Sequence, residues 1–314
     1  MAEKIVCVTG PTACGKTKLA VLLAKRFGGE VVSADSMQIY RGMAVGTAAP
    51  TEEEMDGVPH HMIAVADPSE SWSVARYLSQ ALPIVDDVLS RGKVPVVAGG
   101  TGLWMDALVR GHGFAAGHSG GAVRKELNER LAREGLAALR KELEKVDPAS
   151  AQKLAPADEK RILRALEVYY ETGETISAHN AATAALPDRY DAAWIGVRYR
   201  DREDMRAAID RRVDEMVRLG LEEEALALLR SGVSRTATAL QAIGFKEFLR
   251  VLDGEATREE AIGEIKLRTR QYARRQLTWL RRNGAIRWIE WEKERDFSRA
   301  LQISTEILSA FGLG

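Results

Sequence analysis

Eight residues near the start, Gly10-Pro11-Thr12-Ala13-Cys14-Gly15-Lys16-Thr17, restrict this chain more than any other segment. They satisfy the pattern G-x-x-x-x-G-K-[ST] at every fixed position. The flanks agree with it. Ile5 to Thr9 reads as a short buried strand, and Leu19, Leu22, Leu23 and Phe27 recur at helical spacing behind the loop. Glycines let consecutive backbone N–H groups curl around an anion, and the helix N-terminus adds partial positive charge. Lys16 contributes a full charge and Thr17 a hydroxyl for a divalent metal. A glycine-rich turn with a surface lysine would not require strand, loop and helix to coincide. The chain is therefore expected to bind a di- or triphosphate through Gly10 to Thr17.

A length of 314 residues has room for about two domains, and 46% hydrophobic content can fill their cores. Lys+Arg and Asp+Glu each total 45, which excludes a polycation but not a local basic surface. The two cysteines, Cys7 and Cys14, fall in the first strand and the phosphate loop, so neither a disulfide framework nor a zinc finger is expected. The first strand begins within a few residues of Met1, leaving no space for a signal peptide. No apolar run approaches the roughly 18 residues that span a bilayer. These features predict a cytoplasmic protein with no membrane contact, and we expect a monomer.

Strands and helices alternate through the first hundred residues. A second strand, Glu30 to Ala34, ends at Asp35, and a polar loop runs to about Pro59. An amphipathic helix covers Val74 to Leu89, and a third strand, Val94 to Ala98, runs into Gly99-Gly100-Thr101-Gly102. Repeated β-then-α units predict an α/β fold, a P-loop-type parallel sheet with helices on its faces. Five of the eleven residues from Gly111 to Gly121 are glycine, as in a hinge or linker. From Ala122 to Leu186 the pattern is helical, broken at Val146-Asp147-Pro148 and Ala155-Pro156. Ala193 to Arg198 returns to the sheet, and Ile286 to Glu290 is a late strand. The reading is a catalytic core of residues 1–111 and 191–314 with an inserted helical domain at 112–190.

Three further features converge on the loop. Asp35 lies at the carboxyl end of a strand, where open α/β sheets bind ligands, and fits a metal ligand, a general base or a turn cap. Thr101 sits at the same sheet edge, as a ligand contact or a helix N-cap. Arg212 falls within the apolar stripe of Met205, Ile209 and Met216, which demands either a core carboxylate or a bound phosphate. Between Ile265 and Ile289 there are eight basic residues and no acid, with Arg270, Arg274, Arg281 and Arg282 opposite an apolar face of Ile265, Tyr272, Trp279 and Leu280. A solvated helix face usually mixes signs, so this one suggests a phosphate backbone nearby.

Taken together, the segments resemble the tRNA dimethylallyltransferase family, which prenylates the adenosine just 3′ of the anticodon. Beyond the loop, the resemblance rests on Ser33 to Gly42, Gly46-Thr47-Ala48, Pro59-His60-His61, Gly99 to Gly102, Arg164 to Val168, Gln241 to Gly244 and Thr269 to Trp279. It implies that Gly10 to Thr17 and Arg212 hold the diphosphate of dimethylallyl diphosphate, with Lys16 catalytic and Mg2+ on Thr17. It implies Asp35 as general base on the adenine N6 amine and Thr101 as its support. It also implies tRNA contacts at Asp35, Ser36, Met37 and Gln38, at Arg124, and along Glu159, Lys160, Arg161, Ile162 and Leu163. Arg270, Arg274 and Arg281 would complete the surface for the anticodon stem-loop. Two departures stand out: Met37 occupies a position usually arginine, and the glycine-rich Gly111–Gly121 replaces a proline-rich segment.

Three alternatives share the loop. A prenyltransferase acting on free AMP, ADP or ATP would need neither the helical insertion nor the arginine face. A small-molecule or nucleoside kinase would use Asp35 on a hydroxyl, yet no arginine-bearing lid is evident. A P-loop switch or RNA-binding module would want a second acidic strand end.

Overall fold

The computed structural model describes residues 2–111 and 121–313, so most of the Gly111–Gly121 linker lies outside the described residues. In β1 (Glu3–Thr9), Ile5 and Cys7 face one side of the sheet, while Val6 and Val8 face the other. All four are fully buried, as in a central parallel strand covered on both faces. α1 (Lys16–Phe27) packs Leu19 and Leu23 on the Val6 side. β2 (Glu30–Ser33) follows.

The segment expected as a polar loop holds more structure than its sequence suggests. It contains two single turns, α2 (Ala44–Thr47) and α3 (Glu52–Met55), the second opened by a capping box between Thr51 and Glu54. It ends in β3 (His60–His61), a two-residue edge strand. Elements this short carry too few residues to show a period. α4 (Val74–Ser90), β4 (Pro95–Gly99) and α5 (Gly102–Arg110) complete this half.

The chain divides into two compact units, Met1–Gly111 with Arg189–Gly314, and His112–Asp188. The described part of the second is α6 (Ala122–Glu134), α7 (Leu136–Val146), α8 (Pro148–Lys153), α9 (Glu159–Thr172) and α10 (Ile176–Ala184). Its core gathers Leu127, Leu139, Leu143, Ile162, Leu163 and Leu166. The break at Val146-Asp147-Pro148 is a helix start: Asp147 caps the Ser150 amide at 3.0 Å and Pro148 takes the first helical position.

The first unit resumes with β5 (Tyr190–Tyr199), α11 (Arg202–Arg218), α12 (Leu221–Arg230), α13 (Phe245–Leu252), α14 (Arg258–Leu280), β6 (Arg287–Trp291) and α15 (Phe297–Ala310). Among the described residues the six strands form one sheet in the order β3-β2-β4-β1-β5-β6, every pairing parallel. Thr9 aligns with both Gly99 and Gly196, and Ser33 with Ala98. The loops after β1, β2 and β4 therefore open on one edge, bringing the phosphate loop, Asp35 and Thr101 together. No described helix is long and apolar enough to cross a membrane.

Candidate active site

The loop from Gly10 to Thr17 sits between β1 and α1. Ala13 has φ 63° and Gly15 φ 79°, left-handed positions that bend the backbone into a nest. Pro11 has no amide hydrogen, and the Thr12 amide is taken by the side-chain oxygen of Gln276 at 2.9 Å. From Ala13 to Thr17, five successive amides donate to no described residue. An amide left unpaired away from water costs about 1–3 kcal/mol, so such a run is suited to meeting an anion. Lys16 reaches back across this concavity, its Nζ donating to the Pro11 carbonyl at 2.8 Å. Burial brings its pKa down to about 8; Arg212 and Arg295 push the same way, while Cys14 and Asp35 oppose.

Arg212 projects from α11, whose Ile209 packs with Ala13 of the loop and Ala273 of α14. Its guanidinium donates to the Ala48 carbonyl at 3.4 Å and forms no salt bridge among the described residues. Of the two partners its sequence context demands, the core carboxylate is thus missing. Burial lowers its pKa from the ordinary arginine value, and Asp35 counteracts this.

Asp35 and Thr101 resolve their alternatives differently. One Asp35 oxygen, Oδ1, accepts from the amides of Met37 at 2.9 Å and Gln38 at 3.4 Å, so the turn-cap role holds for that atom. Oδ2 takes no hydrogen bond from a described residue. Thr101 occupies the N-cap position of α5, but its side chain makes no cap bond there. Its hydroxyl accepts from the Ser36 amide at 3.2 Å and lies 3.4 Å from the Ser36 hydroxyl, binding the β4 loop to the β2 loop. It also engages the Tyr272 phenol, which burial and the charge of Asp35 hold above its usual range. Gln38 donates to the Ala48 carbonyl at 3.2 Å and accepts from Ser33 at 3.1 Å. Met37 packs against the main core, consistent with its departure from arginine.

The basic face of α14 is less uniform than its sequence. α11 supplies Asp210 to Arg270 at 3.0 Å, and Glu264, just outside the acid-free stretch, meets Arg268 at 2.8 Å. Arg274 and Arg281 are exposed and form no ion pair among the described residues. In the second unit, Arg124 makes a two-pronged pair with Glu167 at 3.0 and 2.8 Å, and Arg164 joins at 2.8 Å. Along α9, Glu159, Lys160 and Arg161 are exposed, whereas Ile162 and Leu163 are buried in that unit's core. Of the stretch expected to meet RNA, the first three side chains are thus at the surface.

For a metal beside the loop, the sequence offers the Thr17 hydroxyl, while Asp35 is already engaged at Oδ1 by the Met37 and Gln38 amides. No cluster of three or more His, Cys, Asp or Glu that could hold an ion exists among the described residues. That sparse oxygen set fits Mg2+, which takes one or two protein ligands and completes its shell with phosphates and water.

Comparison with known proteins decides the family. The profile described as IPP transferase matches residues 38–283, and that described as isopentenyl transferase matches residues 3–65. A tRNA dimethylallyltransferase of Caldanaerobacter subterraneus subsp. tengcongensis is 45% identical over 92% of both chains. The chain belongs to the tRNA dimethylallyltransferase family. Among solved structures, the tRNA isopentenylpyrophosphate transferase of Bacillus halodurans aligns with TM-score 0.73 at 41% identity, covering 98% of this chain and 96% of that one. A eukaryotic dimethylallyltransferase acting on tRNA aligns with TM-score 0.84 at 30% identity, covering 98% and 80% respectively.

Several side chains that shape the site in this family member escaped the sequence reading. Tyr272 reads as part of an apolar stripe, yet its phenol reaches Thr101. Gln276 and Trp279 share that stripe: Gln276 bridges Thr12 to the Gly100 carbonyl at 3.0 Å, and the Trp279 indole donates to Asp106 at 2.8 Å. A buried glutamine one turn beyond Tyr272 is the signal that marks them, since an apolar stripe has no use for an unpaired amide. Trp291 and Arg295, near the C-terminus, gave no signal at all.

Proposed function

We propose that this protein transfers the dimethylallyl group of dimethylallyl diphosphate to the N6 amine of the adenosine immediately 3′ of the anticodon in tRNA, releasing diphosphate. The observation that carries this reading is the run of open amides from Ala13 to Thr17, flanked by Lys16 and Arg212, beside a carboxylate with one uncommitted oxygen. The diphosphate would lie in the loop. As the bond between the prenyl C1 and the bridging oxygen breaks, charge grows on the leaving group, where amides and cations stabilise it. The new bond joins C1 to N6, and Asp35 Oδ2 takes the N6 proton. Thr101, already bonded to the Asp35–Gln38 loop through Ser36, would orient the adenine. A stacked adenine does not present N6 to a pocket, so the base leaves its stack. The Thr17 hydroxyl would hold Mg2+, whose charge would help to stabilise the leaving diphosphate.

The test combines purified protein, Mg2+, dimethylallyl diphosphate and an anticodon stem-loop RNA, followed by mass analysis of the nucleosides. N6-dimethylallyladenosine is expected. Transfer to AMP at comparable efficiency would instead mark a free-nucleotide enzyme, and phosphoryl transfer from ATP without prenyl product a kinase.

A further inference from the structure

Two side chains from the end of the chain grip the phosphate loop from outside. The Trp291 indole, 2% exposed at the end of β6, donates from Nε1 to the Cys14 carbonyl at 2.8 Å. Arg295 donates from its guanidinium to the Ala13 carbonyl, and from Nε to the Tyr199 hydroxyl at 2.8 Å. Behind them, Phe297 packs on Trp291 with ring centroids 5.3 Å apart and closes on Gly15, where an added Cβ would lie 2.8 Å from its ring. No peptide bond among the described residues is cis. In a trans peptide the carbonyl of one residue and the amide of the next point in opposite directions. Drawing the Ala13 and Cys14 carbonyls outward therefore aims the Cys14 and Gly15 amides inward.

We propose that Trp291 and Arg295 are positioning residues for the diphosphate: they hold two consecutive loop peptides in the orientation that binds it, before it arrives. The inference rests on the reading of Gly10–Thr17 as the diphosphate site. Arg295 is solvent-exposed and forms no ion pair among the described residues, so its contribution does not depend on a carboxylate partner. Preorganised donors keep their strength because nothing must be reoriented when charge appears.

Calorimetry with inorganic pyrophosphate tests this on the full chain. Arg295→Met keeps the stem and removes both donors; Trp291→Phe removes one donor and keeps an aromatic ring. Each is expected to bind pyrophosphate roughly tenfold more weakly. The W291F loss, which removes no charge, should be the same at low and high salt, and part of the R295M loss should persist at high salt. The KM for dimethylallyl diphosphate should rise, and the KM for the RNA should stay unchanged. A wild-type protein that does not bind pyrophosphate overturns the diphosphate site itself, and this inference with it. A wild type that binds, with R295M within about twofold of it, overturns only the positioning role. A loss that disappears at high salt also overturns it, because Arg295 would then act through charge alone. Should W291F fail to fold, R295M, altered at an exposed position, still decides the matter.

Discussion

The side-chain oxygen of Gln276 accepts the Thr12 amide at 2.9 Å while its nitrogen donates to the Gly100 carbonyl at 3.0 Å, so one buried amide joins the phosphate loop to the loop carrying Thr101. Gln276→Leu strips both bonds and leaves two polar backbone groups unpaired. Denaturant unfolding is expected to show a loss of about 2–3 kcal/mol. Steady-state kinetics should show KM rising for both substrates, because both loops lose their shared support. An unchanged KM for either would separate that loop from Gln276.

Asp35→Asn should leave the fold intact, since an amide oxygen can still accept from Met37 and Gln38. Without a base, turnover is expected to fall about 10²–10⁴-fold while RNA affinity is kept. Single-turnover transfer and RNA binding, measured on the same preparation, check both halves.

The parallel sheet and the edge where its loops gather were legible because β1, β2 and β4 are apolar runs closed by polar or glycine residues, whereas the strand order was not. Asp35 and Thr101 could be placed at that edge for the same reason. Arg212 was legible as a misfit in an apolar stripe. What stayed hidden depends on distance in sequence: Gln276, Trp291 and Arg295 act on Thr12, Cys14 and Ala13 across more than 260 residues. No local period encodes a bond over that separation. The pairing of Arg270 with Asp210 was invisible likewise, because the acid lies on another helix.

Lys16 makes the loop sensitive to alkali. Its folded pKa of about 8 lies below the ordinary lysine value of 10.5. Pyrophosphate binding, which needs the ammonium, should weaken as pH rises through about 8, and Lys16→Met should abolish that dependence. Stability moves the other way: the unfolded chain binds the extra proton between the two values, so this group's destabilisation is present below about 8 and is relieved as pH climbs towards 10.5. Calorimetry and thermal unfolding across that window test the two signs.

Gly102 touches the Trp279 ring so closely that a Cβ would lie 2.1 Å from it. Gly102→Ala must displace the indole and break its bond to Asp106. A stability loss of about 1–3 kcal/mol is expected, read as a lower Tm.

Arg274 and Arg281 are the test of the RNA surface. Replacing both with alanine should weaken binding of the anticodon stem-loop and flatten its salt dependence, by about 0.7–0.9 in slope for each phosphate that is no longer neutralised. Arg270→Ala, by comparison, removes a partner of Asp210 and should register in stability as well. Identical slopes for wild type and the double variant would show that this face is only hydrated.

The place of β5 in the sheet has a consequence for how the chain is made. β1 is flanked by β4 and by β5, and β5 is encoded after the whole helical insertion. As the polypeptide leaves the ribosome, its first hundred residues emerge with one flank of their central strand bare, a template for wrong partners until Tyr190–Tyr199 arrives. The tryptophan and arginine that grip the loop come later still, so a nascent chain cut short at residue 280 would carry the whole phosphate signature without its finished cradle.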